Sequence, residues 1–191
     1  MKFVTHEIIA AFFDELVKEF GGRGDVYLTG ESSLVYQRWQ RLADRLEYSA
    51  DIDDMDRPSF DKTVRNFASN NDISVLKESP AEIIPLPEDY QERAIRIDLP
   101  QKNGNALSEL NFYHFDPYSI SFRFIARGDE TDYKLVLNFL KNGWINLNKM
   151  DSLIEDLLPA FSFETIQQDP AEFRRKYKGL LQMWNAFTMI K

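Results

Sequence analysis

The sequence contains no cysteine and only 2 histidines in 191 residues. The absence of cysteine excludes disulfide bonds, cysteine–zinc sites and thiol nucleophiles. No stretch approaches the roughly 18 apolar residues of a membrane span, and the first residues lack the apolar run of a signal peptide. We therefore expect a cytoplasmic protein without a membrane segment.

Positive charge is also scarce, since 23 Lys and Arg face 31 Asp and Glu, for a net charge of -8. A surface of this sign repels phosphate backbones, which argues against a dedicated duplex-DNA binder. Hydrophobic residues make up 43% of the chain and include 15 Phe, enough for a real core. The length allows one ordinary domain, or one domain with a small helical extension.

The first 115 residues alternate between helical and strand-like segments. Apolar residues recur at helical spacing after Thr5 and around Phe60, and short β-rich runs occupy residues 25–30, 48–53, 73–76, 94–98 and 109–114. From Asp116 onward the spacing is helical. This pattern predicts an α+β fold, with an α/β core in residues 1–115 and a helical C-terminal part in residues 116–191 packed on it.

Four aspartates, Asp51, Asp53, Asp54 and Asp56, lie within six positions. Side chains at i and i+2 of a strand point to one face, so Asp51 and Asp53 can converge while Asp54 points away. Mg²⁺ is commonly held by one or two carboxylates together with substrate phosphates, which suggests a Mg²⁺-nucleotide site. The alternative is a solvated acidic turn, and composition alone favours that interpretation.

A glycine turn, Gly30-Glu31-Ser32-Ser33, precedes these aspartates and leads into a helix. Backbone amides and a hydroxyl at such a turn can hold an anion, although a simple helix cap explains the same residues. We predict that Asp51 and Asp53 lie side by side at the mouth of a cleft, with this turn supplying the phosphate contacts.

The order of strand, Gly-Ser turn, helix and Ser49-Ala50-Asp51-Ile52-Asp53 resembles the nucleotidyltransferase-like superfamily. The chain is further similar to an uncharacterised bacterial branch related to the AbiEii-type abortive-infection toxins. That second likeness rests on residues 85–94, 116–118, 123–133 and 169–174. Together the similar segments cover nearly the whole chain.

The resemblance implies a nucleotidyltransferase-like mixed sheet flanked by helices, and transfer of a nucleoside monophosphate from a nucleoside triphosphate to an acceptor. It implies Mg²⁺ held by Asp51 and Asp53, with a third carboxylate that could be Asp98 or Glu109. The implied nucleotide-binding residues are Gly30, Ser32, Ser33, Arg123, Arg127 and Asp132. The interpretation of Asp132 stays open, because an ion pair with Arg127 or Arg123 is the commoner role of a helix carboxylate.

One departure from the family pattern is Glu31, which stands where the turn usually has a second glycine and brings negative charge close to the expected phosphates. The alternative function is therefore a catalytically inactive binding or regulatory protein. The resemblance places either version in a toxin-antitoxin or defence setting. The expected partners are a nucleoside triphosphate and an acceptor that could be RNA, protein or a small molecule, with a second copy or a cognate antitoxin as further candidates and no membrane.

Overall fold

The computed structural model describes residues 1–79, 81–99, 109–161 and 169–189. The helices are α1 (His6–Glu19), α2 (Gly30–Tyr36), α3 (Arg57–Asn71), α4 (Pro117–Arg127), α5 (Glu130–Lys141), α6 (Leu147–Leu157) and α7 (Pro170–Met189). The strands are β1 (Arg23–Leu28), β2 (Arg45–Ile52), β3 (Ser74–Lys77), β4 (Ile95–Arg96) and β5 (Glu109–His114). None of the helices within these ranges is long and apolar enough to cross a membrane.

The five strands form one mixed sheet in the order β3-β2-β1-β5-β4. β1 is antiparallel to β2 and parallel to β5, β3 is parallel to β2, and β4 is antiparallel to β5. Together with Met1–Glu78, Ala94–Phe115 forms the first of two compact units. The predicted α+β architecture with a mixed sheet and flanking helices is confirmed.

Two helices cover one face of this sheet. The predicted cap of α1 is present, since Thr5 Oγ1 accepts the Ile8 N–H at 3.4 Å. The core joins apolar side chains of α1 and α3 to those of the strands: Ile9, Phe12, Phe13, Leu16, Phe60, Val64, Phe67, Val26, Leu46, Tyr48, Ile52 and Phe112. Because side chains alternate along a strand, the odd-numbered residues of β2 point to the opposite face.

That opposite face is polar. Along β2 it carries Arg45, Glu47, Ser49 and Asp51 in succession, at alternate positions of the strand. Residues i, i+2 and i+4 of a strand are spaced by about 6.6 Å at each step. The sheet therefore has one apolar face, which packs against the helices, and an opposite face that is polar along β2 and carries Asp51.

The second unit comprises Ser79–Arg93 and Asp116–Lys191 and contains helices α4 to α7. It begins at Asp116, but Ser79–Arg93 belongs to it as well, whereas the sequence pattern placed that segment with the sheet. The reason lies in a buried ion pair. Arg93 Nε and Nη2 both donate to Asp116 Oδ2 at 3.1 Å, and the Asp116 side chain is fully buried.

Asp116 also caps α4. Its carboxylate accepts the N–H groups of Tyr118 and Ser119 and, at 2.7 Å, the Ser119 hydroxyl. A buried carboxylate is stable only when its oxygens are paired in this way. Asp116 therefore pairs with Arg93 and also caps the helix that begins at Pro117. Together these contacts fix the start of α4.

Candidate functional site

The glycine turn lies at the carboxyl end of β1, where Gly30 has a positive φ of 50° that glycine adopts without strain. Both serines that follow are buried, at 0% and 3% exposure. Ser32 Oγ accepts the Glu47 N–H at 2.7 Å, and Ser33 Oγ donates to the Leu28 carbonyl at 3.1 Å. These two hydroxyls, which are predicted to contact phosphate, connect α2 to the strands in this structure.

The carboxylate of Glu47 lies against the same turn. Its Oε2 accepts the Glu31 N–H at 2.9 Å, and its Oε1 accepts Arg45 Nε at 3.0 Å. Burial raises the pKa of the Glu47 carboxyl, and the nearby charge of Glu78 raises it further, while the Arg45 contact opposes the shift. The Glu31 amide, which a phosphate at this turn would use, already donates its hydrogen bond to the Glu47 carboxylate.

A buried histidine completes this end of the sheet. Gln37 Nε2 donates to His114 Nε2 at 2.9 Å, so His114 Nδ1 carries the proton and donates to Ser33 Oγ at 3.1 Å. Desolvation lowers the pKa of His114 to about 3. At neutral pH the ring is uncharged and serves as a fixed part of the turn's hydrogen-bond network.

The predicted aspartates lie at the other end of β2. Asp51 and Asp53 line an open cleft of about 500 Å³, with Arg23, Gly24, Asp25, Glu109, Leu110 and Asn111. Asp25 is the direct cross-strand partner of Asp51, and it accepts a hydrogen bond from Asn111 Nδ2 at 2.9 Å. Arg23 lies 3.7 Å from Asp53. Asp54 instead pairs with Arg57, at 3.2 Å.

Gly24 allows β1 to approach β2 beside this cleft. Its φ is 149°, and a Cβ atom there would lie 2.5 Å from the Asp51 carbonyl oxygen. Any side chain at this position would push the two strands apart. The close approach keeps Asp25 and Asp51 on adjacent strands facing the same cleft.

The structure separates the two features that the sequence analysis combined. Glu47, which contacts the turn, is four residues from Asp51, or about 13 Å along an extended strand. The reason is that β2 begins at Arg45, three residues before the predicted start, so the aspartates follow a longer stretch of strand. The strand also ends at Ile52, which leaves Asp53 just beyond it.

Of the two candidates for a third carboxylate, only Glu109 lines the aspartate cleft. Asp98 is 91% exposed and lies 3.6 Å from Arg96. Across the ranges that the structure describes, no group of three or more His, Asp or Glu side chains is arranged to hold a metal ion. The carboxylates of this cleft could therefore hold Mg²⁺ only together with the phosphates of a substrate, with one or two of the carboxylates acting as ligands.

The other predicted nucleotide-binding residues lie in the second unit. Arg123 is 8% exposed within α4. Arg127 donates from Nε and Nη2 to the two carboxylate oxygens of Asp132, and its guanidinium lies 4.8 Å from the centre of the Phe124 ring. The bidentate pair joins the end of α4 to the first turn of α5, as the ion-pair interpretation of Asp132 anticipated.

Residues 10–184 match the model of a family described as "Nucleotidyltransferase of unknown function (DUF6036)". The chain belongs to this family. Its α+β fold, a mixed sheet flanked by helices with a helical C-terminal part, is accordingly nucleotidyltransferase-like. Searches of curated proteins and of solved structures gave no match.

Several residues on the polar face of this nucleotidyltransferase-like sheet were not predicted from the sequence. Glu47 and Glu78 belong to segments without clear alternation, and Asn111 lies in a run predicted only as a strand. Asp25 could have been found, because it starts the β-rich run that pairs with the Asp51 strand. The missing information was the register between the strands, which a single sequence does not contain.

Proposed function

We propose that the protein transfers a nucleoside monophosphate from a nucleoside triphosphate to an acceptor, with Mg²⁺ held by Asp51 and Asp53. The observation that carries the proposal is the open, carboxylate-lined cleft on the polar face of a nucleotidyltransferase-like sheet. Bound Mg²⁺ would neutralise the charge that develops on the triphosphate as pyrophosphate leaves.

The chain's own residues have definable tasks in this reaction. Strand pairing holds Asp51 opposite Asp25, and Asn111 donates a hydrogen bond that fixes the Asp25 carboxylate. The register of the strands therefore sets the spacing of the carboxylates that would bind the metal. Asp53 follows directly beyond the strand, and Arg23 at 3.7 Å balances part of its charge. Glu109 lines the same cleft from β5 and is the candidate for the further carboxylate that the family resemblance implies.

The proposal is tested by mixing the protein with each nucleoside triphosphate and Mg²⁺ and measuring bound nucleotide and released pyrophosphate. We expect Asp51→Asn with Asp53→Asn to reduce Mg²⁺-triphosphate binding at least tenfold, or ~1.4 kcal/mol. Asp54→Asn is the matched control, because that side chain is 96% exposed and pairs with Arg57. Unchanged binding in the double variant would refute the assignment.

A second candidate is a non-catalytic binding or regulatory protein, which would suit the toxin-antitoxin role that the resemblance to the AbiEii-type toxins implies. It is favoured by the glycine turn, where Glu47 occupies the Glu31 amide and both serine hydroxyls are buried. Triphosphate binding without pyrophosphate release, whether RNA, protein or small-molecule acceptors are added, would support this second function.

A further inference from the structure

The aspartate cleft has more negative than positive charge. Carboxylates line it from Asp25, Asp51, Asp53 and Glu109, and Arg23 is the one cationic side chain among the described residues that line it. Mg²⁺ held by Asp51 and Asp53 would neutralise these two carboxylates and part of the charge of a bound triphosphate. The phosphates that lie farther from the metal need a second positive group.

The glycine turn lies far from this cleft, and its polar groups already have partners. The Glu31 amide donates to the Glu47 carboxylate at 2.9 Å, and the buried Ser32 hydroxyl accepts the Glu47 N–H at 2.7 Å. Glu47 precedes Asp51 by four residues, which is about 13 Å along an extended strand. A phosphate contact for a nucleotide at Asp51 therefore has to come from a residue of the cleft itself.

Arg23, the first residue of β1, is placed for this contact. It pairs with Glu109 in the parallel register, and it precedes Asp25 by two residues, so both side chains point to the same face of the sheet. Its side chain is 73% exposed, and its Nη2 lies 3.7 Å from Asp53 Oδ2, which is beyond hydrogen-bond distance. Ion pairs between exposed side chains are weak, so a phosphate can replace Asp53 as the partner of this guanidinium.

We propose that Arg23 binds the β- and γ-phosphates of a nucleoside triphosphate whose Mg²⁺ is held by Asp51 and Asp53. This inference rests on the proposed nucleotide transfer. A guanidinium presents a planar fork of N–H donors that bonds two phosphate oxygens at once. When Mg²⁺ takes over the charge of Asp53, the guanidinium is released to bind these oxygens. Arg23 thereby makes the cleft prefer nucleoside triphosphates to monophosphates.

The test measures equilibrium binding of each nucleoside triphosphate with Mg²⁺ to the full chain. Binding of the corresponding monophosphate is measured by competition, so that a weak affinity is still quantified. Arg23→Gln should weaken triphosphate binding at least about tenfold and monophosphate binding less than about twofold, because only the triphosphate has β- and γ-phosphates. Arg23→Lys, which keeps the charge without the fork, should give an intermediate loss. The matched control is Arg96→Gln, because Arg96 is 68% exposed, lies 3.6 Å from Asp98 and does not line the cleft.

The assignment of Arg23 fails, and the proposed function stands, if Arg23→Gln binds triphosphate as tightly as the wild type while the Asp51→Asn and Asp53→Asn double variant does not. Equal losses for triphosphate and monophosphate also overturn it, because Arg23 would then act only by balancing the charge of Asp53. If the folded wild type binds no triphosphate, the proposed function fails and the assignment fails with it. Circular dichroism establishes that each protein is folded, and if Arg23→Gln does not fold, the same ratio measured on Arg23→Lys decides.

Discussion

The two ends of β2 share one polar face but differ in how their polar groups are used. Near Glu47, the serine hydroxyls, the Glu31 amide and the His114 ring are all bonded to other parts of the chain and are largely buried. Near Asp51 the carboxylates face an open cleft. The amino-acid sequence of a motif therefore does not distinguish a binding site from a structural hydrogen-bond network. The burial of its polar groups and the partners that they already have make this distinction.

The largest effect of a single substitution on stability that we expect comes from the buried end. Ser32→Ala removes the acceptor of the Glu47 N–H and leaves this donor without a partner inside the protein. Such a loss costs about 1–3 kcal/mol of the free energy of unfolding. Urea denaturation measures this change in the free energy of unfolding. The matched control is Ser49→Ala, because Ser49 is a half-buried serine on the same face of β2 as Glu47. Its substitution should change the free energy of unfolding by less than about 0.5 kcal/mol.

If Ser32→Ala and Ser49→Ala cost the same, the comparison between the two ends is wrong. An equal cost would mean that the Ser32 bond contributes nothing beyond an ordinary surface contact. In that case the turn would be free to rearrange around a ligand, and its serines would again be candidates for phosphate contacts.

The next effect is a loss of stability in acid, caused by His114. Its pKa is about 3 in the folded protein but near 6.5 in an unfolded chain, so the unfolded state binds more protons between these values. The stabilisation is complete above pH 6.5 and is lost as the pH falls toward 3. Its slope approaches about 1.4 kcal/mol per pH unit within that window.

Urea denaturation at several pH values between 4 and 7 measures this slope. His114→Gln should flatten the curve, because the titrating ring is gone, whereas His6→Gln removes a partly exposed histidine and should keep it. Equal slopes for the wild type and for His114→Gln over this range would contradict the assignment of His114 as a buried neutral ring.

The fold was largely predictable because hydrophobic periodicity reports directly on which face of each element is buried. The alternation of residues 48–53 located β2, and the spacing after Thr5 located α1. The site was less predictable because it depends on pairing between strands. Nothing local to Arg45 and Glu47 revealed that β2 begins there, and this shift placed the aspartates at the far end from the glycine turn.

The second unit also shows that contacts between distant parts of the chain cannot be predicted from local sequence patterns. The sequence pattern located its helices, but Ser79–Arg93 joins this unit through the Arg93–Asp116 pair, which spans 23 positions in sequence. Long-range ion pairs leave no periodic signal. By contrast, the pair between Arg127 and Asp132 spans five positions at a helix junction, and local reasoning anticipated it.

The smallest effect that we expect on stability comes from the open end. Asp53→Asn removes a carboxylate that is 65% exposed and whose ion pair with Arg23 is loose, at 3.7 Å. Exposed pairs of this kind contribute about 0–1 kcal/mol, and relief of repulsion from Asp51 offsets part of the loss. The free energy of unfolding should therefore change by less than about 0.5 kcal/mol, while Mg²⁺-triphosphate binding falls at least tenfold. A thermal melt lowered by several degrees would instead show that Asp53 has a structural role, and the contrast between the two ends of β2 would disappear.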